Sequence, residues 1–367
     1  MYIWYMALFP FRKDFPALEN FTSYLNTPAT GLISSTTAEA AKKSYQALLE
    51  QGAAYSDTFY ADVYPEFTAL AGKYFGVEPS NLAVIPSFSH GFNMLISGLK
   101  KGSRILCLSK DYPSLSVPIS LGEFTLERIN PEANGFYLEE EIIARINEIK
   151  PEYFIYSQVQ YNSGQFIGSE KLHQQAALSG TKLIVDATQS AGVVPLDFNS
   201  SPFQAVLFST YKWCNAGFGL GLMMLKNDFL KKHSFKTGGF GSGTWEAGEF
   251  NLEKGMPQFR PAHKNKPAIE AFMSVLKERA SWGQQSIFDH AKSLLGEFLA
   301  NCNQRILGTG NVQDYGSFCC LTDKDGELST RLKHSNISHT YRNGLVRLGF
   351  HFYNSEEDLS LLLKALN

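Results

Sequence analysis

Three things are missing from this chain: long apolar runs, an excess of charge of either sign, and cysteines in paired or metal-ligand spacing. No uninterrupted apolar run approaches the ~18 residues of a membrane-spanning helix, so no transmembrane segment is expected. Lys and Arg number 33 against 35 Asp and Glu, a formal charge of -2, and no basic field recommends a nucleic-acid partner. The five cysteines (Cys107, Cys214, Cys302, Cys319 and Cys320) are odd in number and lack metal-ligand spacing. The reading is therefore no metal site and no disulfide framework, with reduced thiols in a cytoplasmic protein. The start, MYIWYMALFPFRKDF, places its basic residues after the apolar stretch and lacks a small-residue cleavage site, which disfavours a signal peptide. Internal repeats and low-complexity segments are absent as well.

What is present suffices for a real core. The 367 residues are 44% hydrophobic and 19% charged, enough for one large domain and a smaller one. Apolar runs read as strands: NLAVIPSFS, SRILCLSK, YFIYSQVQ, LIVDAT, AVLFST and GLMML. They alternate with amphipathic stretches such as GFNMLISGLKKG, the signature of a mostly parallel sheet covered on both faces. The expected architecture is α/β, with a large domain over residues 20–250 and a smaller α+β domain from residues 1–19 and 251–367. After Leu225, the glycine-spaced stretch KTGGFGSGTWEAGEFNLEKGMPQFRPAHKNKP has too little periodicity for a long helix and reads as a surface excursion. Near the end, Ser355 followed by Glu356, Glu357 and Asp358 is a helix start signal.

In such sheets ligands bind outside the carboxyl ends of the strands. Ser89, Tyr112, Gln160 to Asn162, Asp186 and Lys212 all fall there. The segment 183–225 is the most informative. Asp186 ends the run LIVD, and the run AVLFS leads into Tyr211-Lys212 and the glycines 217, 219 and 221. A lysine is usually a solvated surface residue, but this one has an apolar flank followed by Trp213. Lysine is the residue that forms a Schiff base with pyridoxal 5'-phosphate (PLP), whose ring nitrogen needs a carboxylate to stay protonated. The interval 212 − 186 = 26 residues allows one short return to a neighbouring strand. Asp186 could alternatively cap a helix.

These residues carry a resemblance. From about residue 60 to its end, the chain resembles the fold-type I, class V PLP-dependent enzymes, a group of cysteine desulfurases, kynureninases, isopenicillin N epimerase-like proteins and aminotransferases. The resemblance implies that Lys212, in FSTYKW, is the Schiff-base lysine and moves the proton at the substrate Cα. Asp186 would pair with the pyridinium nitrogen, and Gln189 would bond the phenolic oxygen. The run PSFSHGFN is similar to the family's A-T-E-x-x-N helix start, so the Phe88 amide and the Ser89 hydroxyl would hold phosphate, with Asn93 matching the later asparagine. His90 stands where the family has glutamate. Ser209 and Tyr211 would complete the phosphate cup, a helix N-terminus being suited to an anion.

Tyr112, in SKDYPSL, falls where the family stacks an aromatic on the ring. In VQYNSGQ the match is loose: Gln160, Tyr161 or Asn162 could touch the cofactor, with Gln160 and Tyr161 favoured. Arg347 precedes FYNSEED as the family's carboxylate-binding arginine does, and a guanidinium suits a carboxylate because its planar fork makes two parallel bonds. Arg342 is a second candidate that could read a side-chain acid. His263, in FRPAHKN, lies on the loop that crosses to the neighbour's phosphate in family dimers, which implies a homodimer with shared active sites.

The implied reaction is transamination of an amino acid. A lyase or epimerase using the same residues is the alternative, and a non-catalytic protein on the same fold is a third reading. One negative is informative. The desulfurases carry a nucleophilic cysteine on a loop before the arginine, and STRLKHSNISHTYRNGLVR has none.

Overall fold

Short runs of β-branched and aromatic residues, flanked by glycine and serine, build a seven-stranded sheet. Its strands are β1 (Leu82–Ile85), β2 (Arg104–Leu108), β3 (Thr125–Ile129), β4 (Tyr153–Ser157), β5 (Lys182–Asp186), β6 (Phe203–Ser209) and β7 (Gly221–Leu225). The computed structural model describes residues 9–367, with side chains from Arg12 onward. Residues 1–8, part of the 1–19 segment expected in the smaller domain, lie outside the described residues. The strand order is β1-β7-β6-β5-β4-β2-β3. Only β7 runs antiparallel to its neighbours.

Alternate residues of each strand serve opposite faces, which is why the strands read as continuous apolar runs. Leu106, Phe154, Tyr156, Val185, Phe208 and Leu222 face one core. Ile105, Ile155, Ile184, Leu207 and Met223 face the other. The strand β3 gives no such run, because this edge strand is only half-buried and its sequence TLERI carries charge.

The chain crosses from β3 back over β2 to reach β4, so the strand order reverses between β2 and β4. The segments leaving the carboxyl ends of these two strands, 109–112 and 158–162, therefore diverge to opposite faces and leave a crevice. The helix after β2 (Pro113–Leu121) packs on the second core, and the helix before β5 (Glu170–Leu178) packs on the first.

A second, three-stranded antiparallel sheet is formed by β8 (Phe318–Thr322), β9 (Thr340–Arg342) and β10 (Leu345–Gly349), in the order β8-β10-β9. Asn343 and Gly344 both have positive φ, 52° and 72°, making the tight connection that joins β9 to β10. Leu294, Phe298, Leu328, Leu332, Leu359 and Leu362 cover this sheet from three helices. The last helix, Glu356–Leu366, starts with the capping box at Ser355: its hydroxyl accepts from the Asp358 amide at 3.3 Å, and the Asp358 carboxylate accepts from the Ser355 amide at 2.8 Å. The excursion after β7 includes a two-stranded hairpin, Gly243–Glu246 with Glu249–Leu252, that its low periodicity did not announce.

Two segments pack across the expected division at residue 250. The helix Lys266–Ala280 buries Ile269, Phe272, Val275 and Leu276 in the core of the large sheet. Ser23–Tyr24 pairs in parallel with Ile337–Ser338 beside the smaller sheet. Both follow from where these segments find apolar cover, which sequence order does not specify. Phe272→Ala is thus expected to weaken the large-sheet unit by ~3–5 kcal/mol, checked by urea denaturation.

Candidate active site

At the end of β6 the chain turns at Tyr211-Lys212, and the Lys212 side chain is buried. Its amine lies 5.7 Å from the centre of the Tyr112 ring and 5.6 Å from that of Tyr211. Burial lowers the Lys212 pKa, the nearby positive charge of Arg347 lowers it further, and Asp186 opposes both. Asp186, also buried at the end of β5, is pushed up by the same desolvation. One of its oxygens accepts from the Thr188 amide at 2.8 Å, and among the described residues no cation pairs with it.

The turn carrying Lys212 is fixed from behind. Arg279, 2% exposed, donates to Gly192 O at 2.8 Å, to Trp213 O at 2.9 Å and to Asn215 Oδ1. His351 Nε2 lies 2.9 Å from the same Trp213 oxygen, and burial holds this imidazole neutral. Gly31 rests on the Lys212 carbonyl, where a Cβ would overlap it, and its amide donates to Tyr211 O at 2.9 Å.

Gln189 is held in place by the protein: its Oε1 accepts from the Trp213 indole at 2.8 Å and its Nε2 donates to Pro28 O at 2.9 Å. One amide hydrogen is left for another acceptor. The helix start near β1 also differs in detail from expectation. Ser87, one residue before the helix Phe88–Ile96, is the N-cap. The Phe88 amide is already engaged, donating to Ser209 Oγ at 2.8 Å. The Ser209 hydroxyl is therefore free to donate elsewhere, and Ser89 is half-buried in the first turn. His90, in the glutamate's place, sits 2.9 Å from Ser87 Oγ and reinforces the cap. Asn93 turns back to donate to Ser89 O at 2.8 Å.

Opposite the lysine, Tyr112 meets Tyr161 edge-on, with ring centres 5.3 Å apart. Arg347 donates to Tyr161 O at 2.9 Å and to Thr340 Oγ1 at 3.3 Å, and its buried Nε has no partner among the described residues. Gln160 is fully buried: its Nε2 donates to Ser157 O at 2.9 Å, and its Oε1 is also unpartnered. Asn162 donates to Lys110 O at 3.3 Å. Tyr161, Asn162, Arg342 and Arg347 share a cleft of about 720 Å3. Ser89, His90, Asn93 and His263 share another, of about 740 Å3. His263 is exposed there, 3.4 Å from the Tyr60 hydroxyl, so within one chain it does not join the Lys212 group.

Sequence reasoning missed Asp111. Its buried carboxylate spans the crevice between β2 and β4, accepting from the Ser157 amide at 2.8 Å, the Ser157 hydroxyl and the Tyr112 amide at 2.6 Å. It also accepts from Gln160 Nε2 at 3.4 Å, and so ties the backbone of Tyr112 to the Gln160 side chain. Its position after a strand and before Tyr-Pro was the available signal. Arg279 and His351 had none, because Arg279's hydrogen-bond partners lie 64 to 87 positions away in sequence. Cys320 also lines the Arg347 cleft, but burial pushes its thiol up to about 12, so it is protonated and a poor nucleophile near neutral pH.

A buried lysine at a strand end, a buried carboxylate one strand over and an arginine at the cleft mouth define a PLP-type site on an α/β scaffold. The family comparison agrees. The model for Aminotransferase class-V matches residues 23–315, and the chain belongs to that family. It is 23% identical over 363 residues to the uncharacterized aminotransferase YcbU of Bacillus subtilis (strain 168), covering 95% of this chain and 94% of that protein. To a kynureninase of Christiangramia forsetii it is 21% identical over 192 residues, 48% of this chain and 45% of that one. Among solved structures, a C-DES mutant with glycine covalently linked to the PLP cofactor superposes with a TM-score of 0.86 at 20% identity, covering 97% and 99% of the two chains. The cysteine desulfurase of Thermococcus onnurineus NA1 gives 0.84 at 18% identity, covering 97% and 96%. The cofactor of this family is PLP. The residues present fit it: a buried amine 5.7 and 5.6 Å from two aromatic ring centres, and a buried carboxylate with no cation in ion-pair distance among the described residues.

Two outcomes follow from this geometry. Arg279→Ala leaves the Gly192 oxygen without its donor and the Trp213 and Asn215 oxygens with the His351 ring nitrogen alone, and is expected to cost about 1–3 kcal/mol in urea denaturation. Lys212 acts on stability through its proton. The unfolded lysine keeps its proton up to 10.5 and the folded one releases it at lower pH, so between these the unfolded chain binds more protons. The Lys212 contribution to the stability of the cofactor-free protein should therefore rise with pH across that window, against the buried thiols and phenols, whose raised pKa values act in the opposite sense. It is read as a difference: urea midpoints of the unaltered protein relative to Lys212→Met should shift in the unaltered protein's favour from about pH 8 to about pH 10.

Proposed function

We propose that this protein is a PLP-dependent aminotransferase acting at the Cα of an amino acid, with Lys212 as the residue that holds the cofactor. The observation that carries the reading is the Lys212 amine itself: buried, shifted toward its neutral form, and close to the Tyr112 and Tyr211 rings. The bound cofactor supplies an electron sink for the charge left at Cα when one of its bonds breaks.

The chain's residues do the rest. A neutral Lys212 amine can attach the cofactor and afterwards accept or return the Cα proton. Asp186 would hold the ring nitrogen protonated when the cofactor is bound, and Tyr112 would orient the ring by stacking. Ser89, Ser209 and Tyr211 hold the phosphate beside the helix N-terminus, with burial keeping the Tyr211 phenol protonated up to about 12. Arg347 takes the substrate α-carboxylate, for which its unpartnered Nε is suited. Tyr161 and Gln160 line the approach, and Gln189 uses its remaining hydrogen on the phenolic oxygen. His263 would reach the neighbour's phosphate in a homodimer. The high pKa of Cys320 and the cysteine-free loop before Arg347 disfavour persulfide formation on a thiol of the protein.

Purified holoenzyme should show a visible absorbance band that disappears on borohydride treatment and is absent in Lys212→Ala. A protein that takes up no PLP would sink this reading. Mixed singly with amino acids, the holoenzyme should release a keto acid and pass to the pyridoxamine form. Sulfide or ammonia release with no pyridoxamine form would point to a lyase, and change of chirality alone to an epimerase.

A further inference from the structure

The tight turn at Asn343-Gly344 fixes a register that sets Thr340 opposite Arg347 and Arg342 opposite Leu345. Side chains alternate across a sheet, so Thr340, Arg342, Leu345 and Arg347 share one face. Arg342 and Arg347 are diagonal neighbours on that face, a relation that places Cα atoms roughly 7–8 Å apart. All four residues line the cleft of about 720 Å3 that leads to Tyr161. Burial lowers the pKa of Arg347, and the nearby positive charge of Arg342 lowers it further. Among the described residues neither arginine has a carboxylate within ion-pair distance.

Lys110 adds a third positive charge from the opposite wall. Against these stand the exposed Glu132 and Asp111, whose oxygens already accept from the Ser157 and Tyr112 amides. Two like charges held on one sheet face without counter-ions repel each other, and this cost is relieved by an anion that reaches both. One α-carboxylate occupies one guanidinium and leaves the second unmet.

We infer that the substrate is a dicarboxylic amino acid: Arg347 receives its α-carboxylate, and Arg342, with Lys110 across the cleft, receives the carboxylate of its side chain. This rests on the transamination reading for the α-carboxylate at Arg347, and adds to it the class of side chain. Arg342 is exposed, so its contribution is moderate and screened by salt.

The test uses holoenzyme and acid–amide pairs that differ only in charge. By calorimetry, glutarate should bind at least about tenfold tighter than glutaramate, and the ratio should shrink as salt is raised. In Arg342→Gln that ratio should fall to near one, and Arg342→Lys should recover part of it. In Arg347→Gln both ligands should weaken. The same preference should appear in kcat/KM for glutamate over glutamine or aspartate over asparagine. Equal affinity for acid and amide in the unaltered protein, or a ratio that survives Arg342→Gln, overturns the inference. Retention of the dicarboxylate preference by a protein that converts no amino acid would support the acid-reading cleft and overturn the transaminase reading.

Discussion

A single buried cation ties the structure together. Arg279 sits at the end of a helix that packs on the large sheet, yet its guanidinium reaches the loop after β5 at Gly192 and the turn after β6 at Trp213 and Asn215. His351, from the segment after β10, contacts the same turn. Moving an arginine out of water costs several kcal/mol, and here the charge is met by carbonyl dipoles, with no carboxylate among its hydrogen-bond partners. Such a cation is tolerated only while all its acceptors converge. The convergence is what ties the two sheets together behind Lys212 and leaves the amine facing forward.

In front of that clamp the site is electrostatically incomplete in two places. Among the described residues, no cation is within ion-pair distance of the buried Asp186 carboxylate and no carboxylate within ion-pair distance of Arg347 or Arg342. Lys212 lies between, its amine pushed toward neutrality by burial and by Arg347, with Asp186 pulling the other way. A ring cation at Asp186 and carboxylates at the arginines would satisfy both deficits without changing the lysine. Asp111, at the point where strand order reverses, holds Tyr112 and Gln160 at fixed relative positions between these two regions.

The central strands were legible because both faces of the sheet are covered, so burial leaves uninterrupted apolar runs. The edge strand Thr125–Ile129 was not, since half-burial permits the charges of TLERI. Lys212 and Asp186 stood out because each ends or follows such a strand, and Arg347 because it precedes FYNSEED. The Phe88 amide shows where analogy ran ahead of geometry: it donates to Ser209, a contact between residues 121 positions apart. His263 lies on the expected loop but in a cleft beside Ser89, away from the lysine of its own chain.

By itself, then, the sequence determined the alternation of strands and helices, the lysine and aspartate at neighbouring strand ends, and the arginine near the last strand. Local apolar periodicity and backbone preference are enough for that, because they act over a few residues. Only the tertiary structure decided that Arg279 clamps the lysine turn, that Asp111 bridges the crevice, and that Arg342 and Arg347 share one face without counter-ions. Those facts depend on which distant segments meet, and that is settled by the burial of whole sheets and helices.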